Sequence, residues 1–212
     1  MTPADWEAVG LSLRVAAGAT GLALVPGVGL AVVLARKRGP WVGALDLVVS
    51  LPLVLPPVVT GYALLLLLPR GLLYTWIAAV VAAAVVGLPL LVHIARVGIE
   101  AVDPDLKAAA RLDGAGRWDV FRRVTLPLAS PAIAAGAALH FGRALGEFGA
   151  TIVVAGNIPG LTQTLPLALF ARMHQAGGDP ASLRLAAVSV AVAAACWGIY
   201  RVLLGRVGRW RP

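Results

Sequence analysis

The stretch Ala101-Val-Asp-Pro-Asp-Leu-Lys-Ala-Ala-Ala-Arg-Leu-Asp-Gly-Ala-Gly-Arg-Trp-Asp-Val-Phe-Arg-Arg-Val-Thr-Leu-Pro127 is a compact, basic, polar insert between two long apolar runs. Asp103 is a good N-cap, Pro104 suits the first helical position and Asp105 complements the helix dipole. Gly114 is a plausible C-cap, so a helix of about ten residues is expected. Gly116 resets the chain, and residues 117–124 form a second short helix that exposes Trp118 and Phe121 and that Pro127 closes. A solvated connector between two spans needs neither those aromatics nor the small face of Ala108, Ala109 and Ala110. The insert therefore reads as a docking surface.

Outward from the insert the chain reads as membrane. Of 212 residues, 59% are hydrophobic and 13% charged, and mean hydropathy is +0.87. Soluble domains hold about half apolar and about a quarter charged residues. A crossing helix needs about 20 mostly apolar residues. Five segments qualify: 11–35, with Arg14 near its start; 45–68, with Pro52, Pro56 and Pro57; 74–95, with Pro89; 128–156, with His140, Arg143 and Glu147; and 185–204. The apolar run at 165–173 is too short to cross and is expected to be re-entrant or interfacial.

The expectation is an all-α polytopic membrane protein, one transmembrane domain over 1–212. Lys and Arg set its orientation. Arg36, Lys37 and Arg38, then Arg96, Lys107, Arg111, Arg117, Arg122 and Arg123, then Arg201, Arg206, Arg209 and Arg211 fall on one side. That side holds the C-terminus and is expected to be cytoplasmic, with the N-terminus outside. Trp6, Trp41, Trp76 and Trp210 lie near the interfaces, as anchors do. No removable signal peptide is expected, because Asp5 and Glu7 replace a basic leader.

Several function classes find no support. The net charge of +8 comes from basic residues flanking apolar spans, with no polar domain to carry a nucleic-acid face. Cys196 is single, in an apolar run, and reads as a small buried thiol. His93, His140 and His174 are dispersed, without metal-ligand spacing. Neither a phosphate-cradling Gly-rich loop nor a nucleophile–base set is recognisable, so neither a cofactor nor a catalytic role is expected.

Arg143 and Glu147 share a helix face and can pair, with His140 one turn away. Ionisable residues inside a membrane helix face the protein interior or a water path. Two readings fit and are compatible: the cluster holds helices or subunits together, or it lines a path. Gly146 and Gly149 permit a close contact or a kink. Pro56 and Pro57 must bend the second span, which makes Pro56, Pro57 and Thr60 candidates beside a pore, with Thr151 a further candidate donor. The segment 157–164 is a polar, turn-rich loop, either plain connection or flank of a gate.

The insert resembles the EAA loop of permease subunits of ABC importers: Ala109-Ala110, Gly114 and Leu126-Pro127 stand at the family's spacing. Ala108 occupies the position of the family's Glu. The resemblance implies a type I importer permease fold, two copies forming the path, ATPase subunits docking on a coupling loop at about 98–127, and an extracytoplasmic binding protein. It implies coupling roles for Leu106, Ala108, Ala109, Ala110, Arg111, Asp113, Gly114 and Arg117. Gly146-Glu-Phe-Gly-Ala-Thr151, Gly156-Asn-Ile-Pro-Gly160 and Thr162-Gln-Thr-Leu165 resemble the molybdate branch. Leu51-Pro-Leu-Val-Leu-Pro-Pro-Val-Val-Thr-Gly61 is similar to oxyanion permeases generally. Molybdate import is the implied function, with tungstate or sulfate as alternatives. From another class, a self-contained channel or ion-coupled carrier remains the rival, and it needs buried carboxylates where this chain offers only Glu147.

Overall fold

The computed structural model describes residues 2–36, 39–174 and 179–208. Lys37, Arg38, Arg209, Trp210 and Arg211 lie outside the described residues, as do the side chains of Cys196 and Arg206.

Helix α1 (Pro3–Arg36) begins in a reciprocal cap: the Thr2 amide donates to Asp5 Oδ2 at 2.6 Å and the Asp5 amide to Thr2 Oγ1 at 3.3 Å. That cap starts the helix well before the expected residue 11. Ser12, Val15, Ala19, Ala23, Gly27, Ala31 and Leu34 recur every three or four positions and are buried. They form a narrow stripe of mostly small side chains that brings α1 close to α4 (Trp76–Glu100). There Ala78, Ala79, Ala82 and Ala83 supply a matching small surface. Small residues on both faces let helices pack closely where lipid offers no hydrophobic drive for association. Helix α4, capped by the Thr75 hydroxyl accepting from the Ala78 amide at 3.3 Å, is central and packs against α1, α2, α3, α7 and α8.

The second expected span is two helices, α2 (Pro40–Val54) and α3 (Pro57–Leu67), bent by 114°. After α4 come α5 (Pro104–Leu112) and α6 (Arg117–Val120), then a π turn (Phe121–Thr125) that runs straight into α7 (Leu126–Leu145). Pro127 therefore opens α7 and closes nothing. It lies inside a continuous helical run from Arg117 to Leu145, and the π turn ahead of it accommodates the missing N–H. The fourth expected span is also broken: α7 stops at Leu145 and α8 (Gly149–Ala155) starts afresh. Helices α9 (Leu165–Met173) and α10 (Asp179–Gly208) complete the chain, with α10 against α7 and α9.

Among the described residues four helices are long and apolar enough to cross a membrane, and the bent α2–α3 pair counts as a fifth if it is one span. Trp6, Trp41 and Trp76 are about half exposed or more, at 61%, 51% and 48%, which suits rings at a membrane boundary.

Candidate functional site

The two breaks face each other, because α3 packs on α8. At the first, the Leu55 amide closes α2 on the Leu51 carbonyl at 2.9 Å, and the Pro56 carbonyl accepts from the Val59 amide at 2.8 Å to open α3. Pro56 and Pro57 carry no amide hydrogen, so the bend strands no donor there. At the second, Gly146 ends α7 and the Glu147 amide reaches the Ala144 carbonyl at 3.2 Å. Glu147 Oε1 accepts from the Ala150 amide at 2.8 Å, placing a carboxylate over the start of α8. A negative charge there is favourable to the helix dipole.

Glycines let these segments touch. A Cβ on Gly61 would stand 2.7 Å from Ala150 Cα, and one on Gly149 would stand 2.9 Å from Pro57 Cβ. Neither distance is tolerable, so backbone meets backbone. Gly149 thus makes the close contact, while Gly146 is the cap.

Arg143 Nη1 lies 2.7 Å from Glu147 Oε2. The Glu147 side chain is 1% exposed and the Arg143 side chain 31%. The contact is an ion pair without an aligned hydrogen bond: Oε2 receives no N–H of acceptable direction. Thus one carboxylate oxygen caps α8 and the other faces a half-solvated guanidinium. Thr60 and Thr151, on the two packed helices, are both buried, and neither hydroxyl has a hydrogen-bond partner among the described residues. Buried hydroxyls without partners are uncommon and costly.

His140 stands apart from the pair. It is fully buried; its Nδ1 lies 3.0 Å from Thr20 Oγ1 on α1 and its Nε2 lies 3.3 Å from the Ala84 carbonyl on α4. Gly87 leaves the room it occupies, since a Cβ there would stand 2.8 Å from the ring. His140 therefore joins α1, α4 and α7. His93 meets Ser50 Oγ at 3.0 Å and His174 the Phe170 carbonyl at 2.8 Å.

The polar segment 157–164 is self-bonded, with Gln163 Nε2 donating to Asn157 Oδ1 at 2.9 Å and the Ile158 amide to Thr162 Oγ1 at 3.0 Å. The Leu165 amide donates to Ser12 Oγ on α1 at 2.6 Å. Arg172 bonds Asp5 Oδ1 at 2.9 Å, pinning α9 to the start of α1. Sequence reading missed Thr20, Ser12 and the Asp5–Arg172 pair. Only the polar residues at apolar positions signalled them, and their partners are far away in the chain.

The insert forms the second candidate surface. The Asp103 side chain accepts from the Asp105 amide at 2.8 Å, and Gly114 adopts φ +84°, the left-handed geometry glycine permits. No residue of α5 is buried. Leu106, Leu112 and Trp118 are exposed by 50%, 89% and 69%, and Ala108, Ala109 and Asp113 are exposed beside them. Phe121 is less available than expected, because Arg36 lies 5.1 Å over its ring. Lys107 turns back, donating to the Val102 carbonyl at 2.8 Å and the Ile99 carbonyl at 3.4 Å. Burial lowers the Lys107 ammonium below its usual value, and the neighbouring Arg36 and Arg111 charges lower it further against the opposing pull of Asp103.

Residues 27–208 match the family described as binding-protein-dependent transport system inner membrane component. The molybdenum transport system permease protein ModB of Escherichia coli is 44% identical over 207 residues, covering 91% of this chain and 90% of that protein. The molybdate/tungstate transport system permease protein WtpB of Thermococcus kodakarensis is 38% identical over 200 residues, covering 94% and 79%. A crystal structure of an amino acid ABC transporter superposes with a TM-score of 0.68 at 21% identity, over 97% of this chain and 94% of that one. That likeness concerns the fold.

Proposed function

The chain belongs to the family of inner membrane components of binding-protein-dependent transport systems, and from that premise we propose that it is the permease subunit through which an ABC importer carries molybdate into the cell. It is a multi-pass membrane protein and a transport subunit. The observation that carries the substrate is the 44% identity to a molybdenum permease over 91% of the chain. A tungstate-carrying system is the second reading, favoured by the identity to the molybdate/tungstate permease.

Two copies would form the path, and the broad apolar exposure of α2 and α3 supports this: Val54 is 80% exposed, Leu66 68% and Leu67 79%. Such a face needs lipid or a second copy. Along the path, Thr60 and Thr151 offer hydroxyl donors and Arg143 a positive charge. A dianion requires few free carboxylates, and Glu147 is already matched by Arg143 and the Ala150 amide. That matching also weighs against an ion-coupled carrier, whose coupling carboxylate must exchange protons or cations. His140 serves the path only as a brace between helices. Pro56 and Pro57 keep α2 and α3 short and angled.

An ATPase subunit would dock on α5 through Leu106, Ala108, Ala109, Ala110 and Leu112, with Asp113 and Gly114 at the end of the helix. Arg111 and Arg117 would flank the contact. The Lys and Arg distribution supports a cytoplasmic location for this insert and the C-terminus, with the N-terminus outside. An extracytoplasmic binding protein would deliver the anion at the opposite side. Closure of the ATPase pair would move α5, and α5 is tied to α4 by Lys107, so the central helix would move with it.

The test is ATP-dependent uptake of radiolabelled molybdate in proteoliposomes carrying the chain and its ATPase. Uptake should vanish when residues 106–116 are deleted, and the ATPase should no longer copurify. Undiminished uptake in that deletion would sink the coupling assignment. Competition with tungstate and sulfate ranks the three anions, and uptake by the chain alone without ATP would favour the carrier.

A further inference from the structure

Behind the coupling helix, at the ends of α1 and α4, lies a cavity of about 1370 Å³ to which the transport reading assigns no ligand. Five cations line it: Arg36 from α1, Arg96 from α4, Lys107 and Arg111 from α5, and Arg117 from α6. Glu100 is the carboxylate of the lining, and it is already engaged with Arg96 at 2.8 Å. Arg96 also reaches Asp46 at 3.3 Å. Among the described residues no carboxylate stands within 4.0 Å of Arg36, Lys107, Arg111 or Arg117.

An excess of Lys and Arg on one side of a membrane protein is ordinary, and solvated side chains there normally diverge. These four come from three different elements and converge on one concavity. Lys107 and Arg111 are four apart and so share the inner face of α5, while the adjoining positions Ala108 and Leu112 turn outward. The Arg36 and Arg111 charges both press on Lys107, with Asp103 pulling the other way. Ala35 and Ala115, both partly exposed, add apolar wall beside the charges.

We propose that this cavity binds the phosphate headgroup of an anionic phospholipid from the adjoining leaflet, with the first carbons of the lipid against Ala35 and Ala115. Basic pockets between membrane helices recognise such headgroups. A free phosphate has the same anionic chemistry but gains nothing from the apolar wall. The proposal requires only that the chain be embedded in a membrane; it is independent of the transported anion and of the ATPase, and its test measures no transport.

The experiment is native mass spectrometry of the full chain in neutral detergent, titrated with dioleoyl phosphatidylglycerol, dioleoyl phosphatidylcholine or sodium phosphate. Phosphatidylglycerol should bind about tenfold more tightly than phosphatidylcholine, and the Arg36→Gln/Lys107→Gln pair should lose about fivefold per cation removed. The pair Arg122→Gln/Arg123→Gln removes the same charge outside the cavity and should stay within about twofold of the parent. The charge-keeping pair Arg36→Lys/Lys107→Arg should retain binding, and if the neutral pair aggregates, the two single neutral variants carry the test. Equal losses in the two neutral pairs, no preference for phosphatidylglycerol, or loss of binding in the charge-keeping pair would overturn the site. Displacement of the lipid by millimolar phosphate would overturn the lipid as its ligand.

Discussion

Two long apolar runs of this protein are broken, and they are broken by different means. Between α2 and α3 the chain bends by 114° at Leu55-Pro56-Pro57, with no charged group and no stranded donor. Between α7 and α8 it stops at Gly146, and Glu147 turns one oxygen to the next helix and the other to Arg143. The proline break is built into the covalent chain and persists whatever surrounds it. The glycine–glutamate break depends on a buried carboxylate that caps α8 with one oxygen and pairs with Arg143 through the other, and on α3 pressing from the other side. We therefore expect the first break to be passive and the second to be the sensitive one, the place where motion and chemistry can be coupled.

The largest test attacks the contact between them. Gly61→Val sets a branched side chain against the Ala150 backbone, where even a Cβ would stand at 2.7 Å. A loss of about 3 kcal/mol is expected, the upper end for overpacking, read by reversible unfolding in detergent. Unchanged stability would mean that the two breaks do not lean on each other.

Next is the carboxylate. Glu147→Ala should cost about 2 kcal/mol, below the usual range for breaking a buried pair because water reaches Arg143, together with the cap of α8. Glu147→Gln keeps an acceptor for the Ala150 amide and should cost about 1 kcal/mol. The same unfolding measurement separates them, and equal losses in both variants would assign the whole effect to charge. Smaller in stability but sharper in function is Thr151→Val. Its hydroxyl has no partner among the described residues, so removing it should leave stability unchanged or raise it by about 1 kcal/mol, while molybdate uptake falls several-fold. Uptake equal to the parent's would remove Thr151 from the path. The smallest effect lies outside both breaks. Ala108→Glu, on the exposed face of α5, should tighten ATPase copurification modestly at most, and a large loss of coupling would show that the docking register is misplaced.

The proline break was legible because proline's limits act on its own neighbours. The second was not: residues 128–156 read as one apolar helix, and Gly-Glu-Phe-Gly within it permits a break without demanding one. What decides is α3, some ninety residues earlier, whose Gly61 admits the start of α8. The same holds for His140. From sequence it belongs one turn from Arg143, yet its partners are Thr20 and Ala84, 120 and 56 residues away. In the insert, by contrast, the N-cap at Asp103 and the left-handed Gly114 were readable, since capping is chemistry over a few residues. Pro127 was misread as a stop because only the preceding π turn reveals that a helix is already under way.

That the chain crosses a membrane several times, where its polar insert lies and which family motif the insert carries all follow from the order of its residues. Hydropathy, capping and motif spacing are all local properties, summed along the chain. Folding in three dimensions is what breaks two apolar runs and joins them through glycine, shares Glu147 between Arg143 and a helix start, and gives α5 an exposed apolar face and a cationic face. Each of these depends on groups distant in sequence filling the same small volume, and there close packing and the cost of an unmatched charge choose among arrangements that the local chain leaves open.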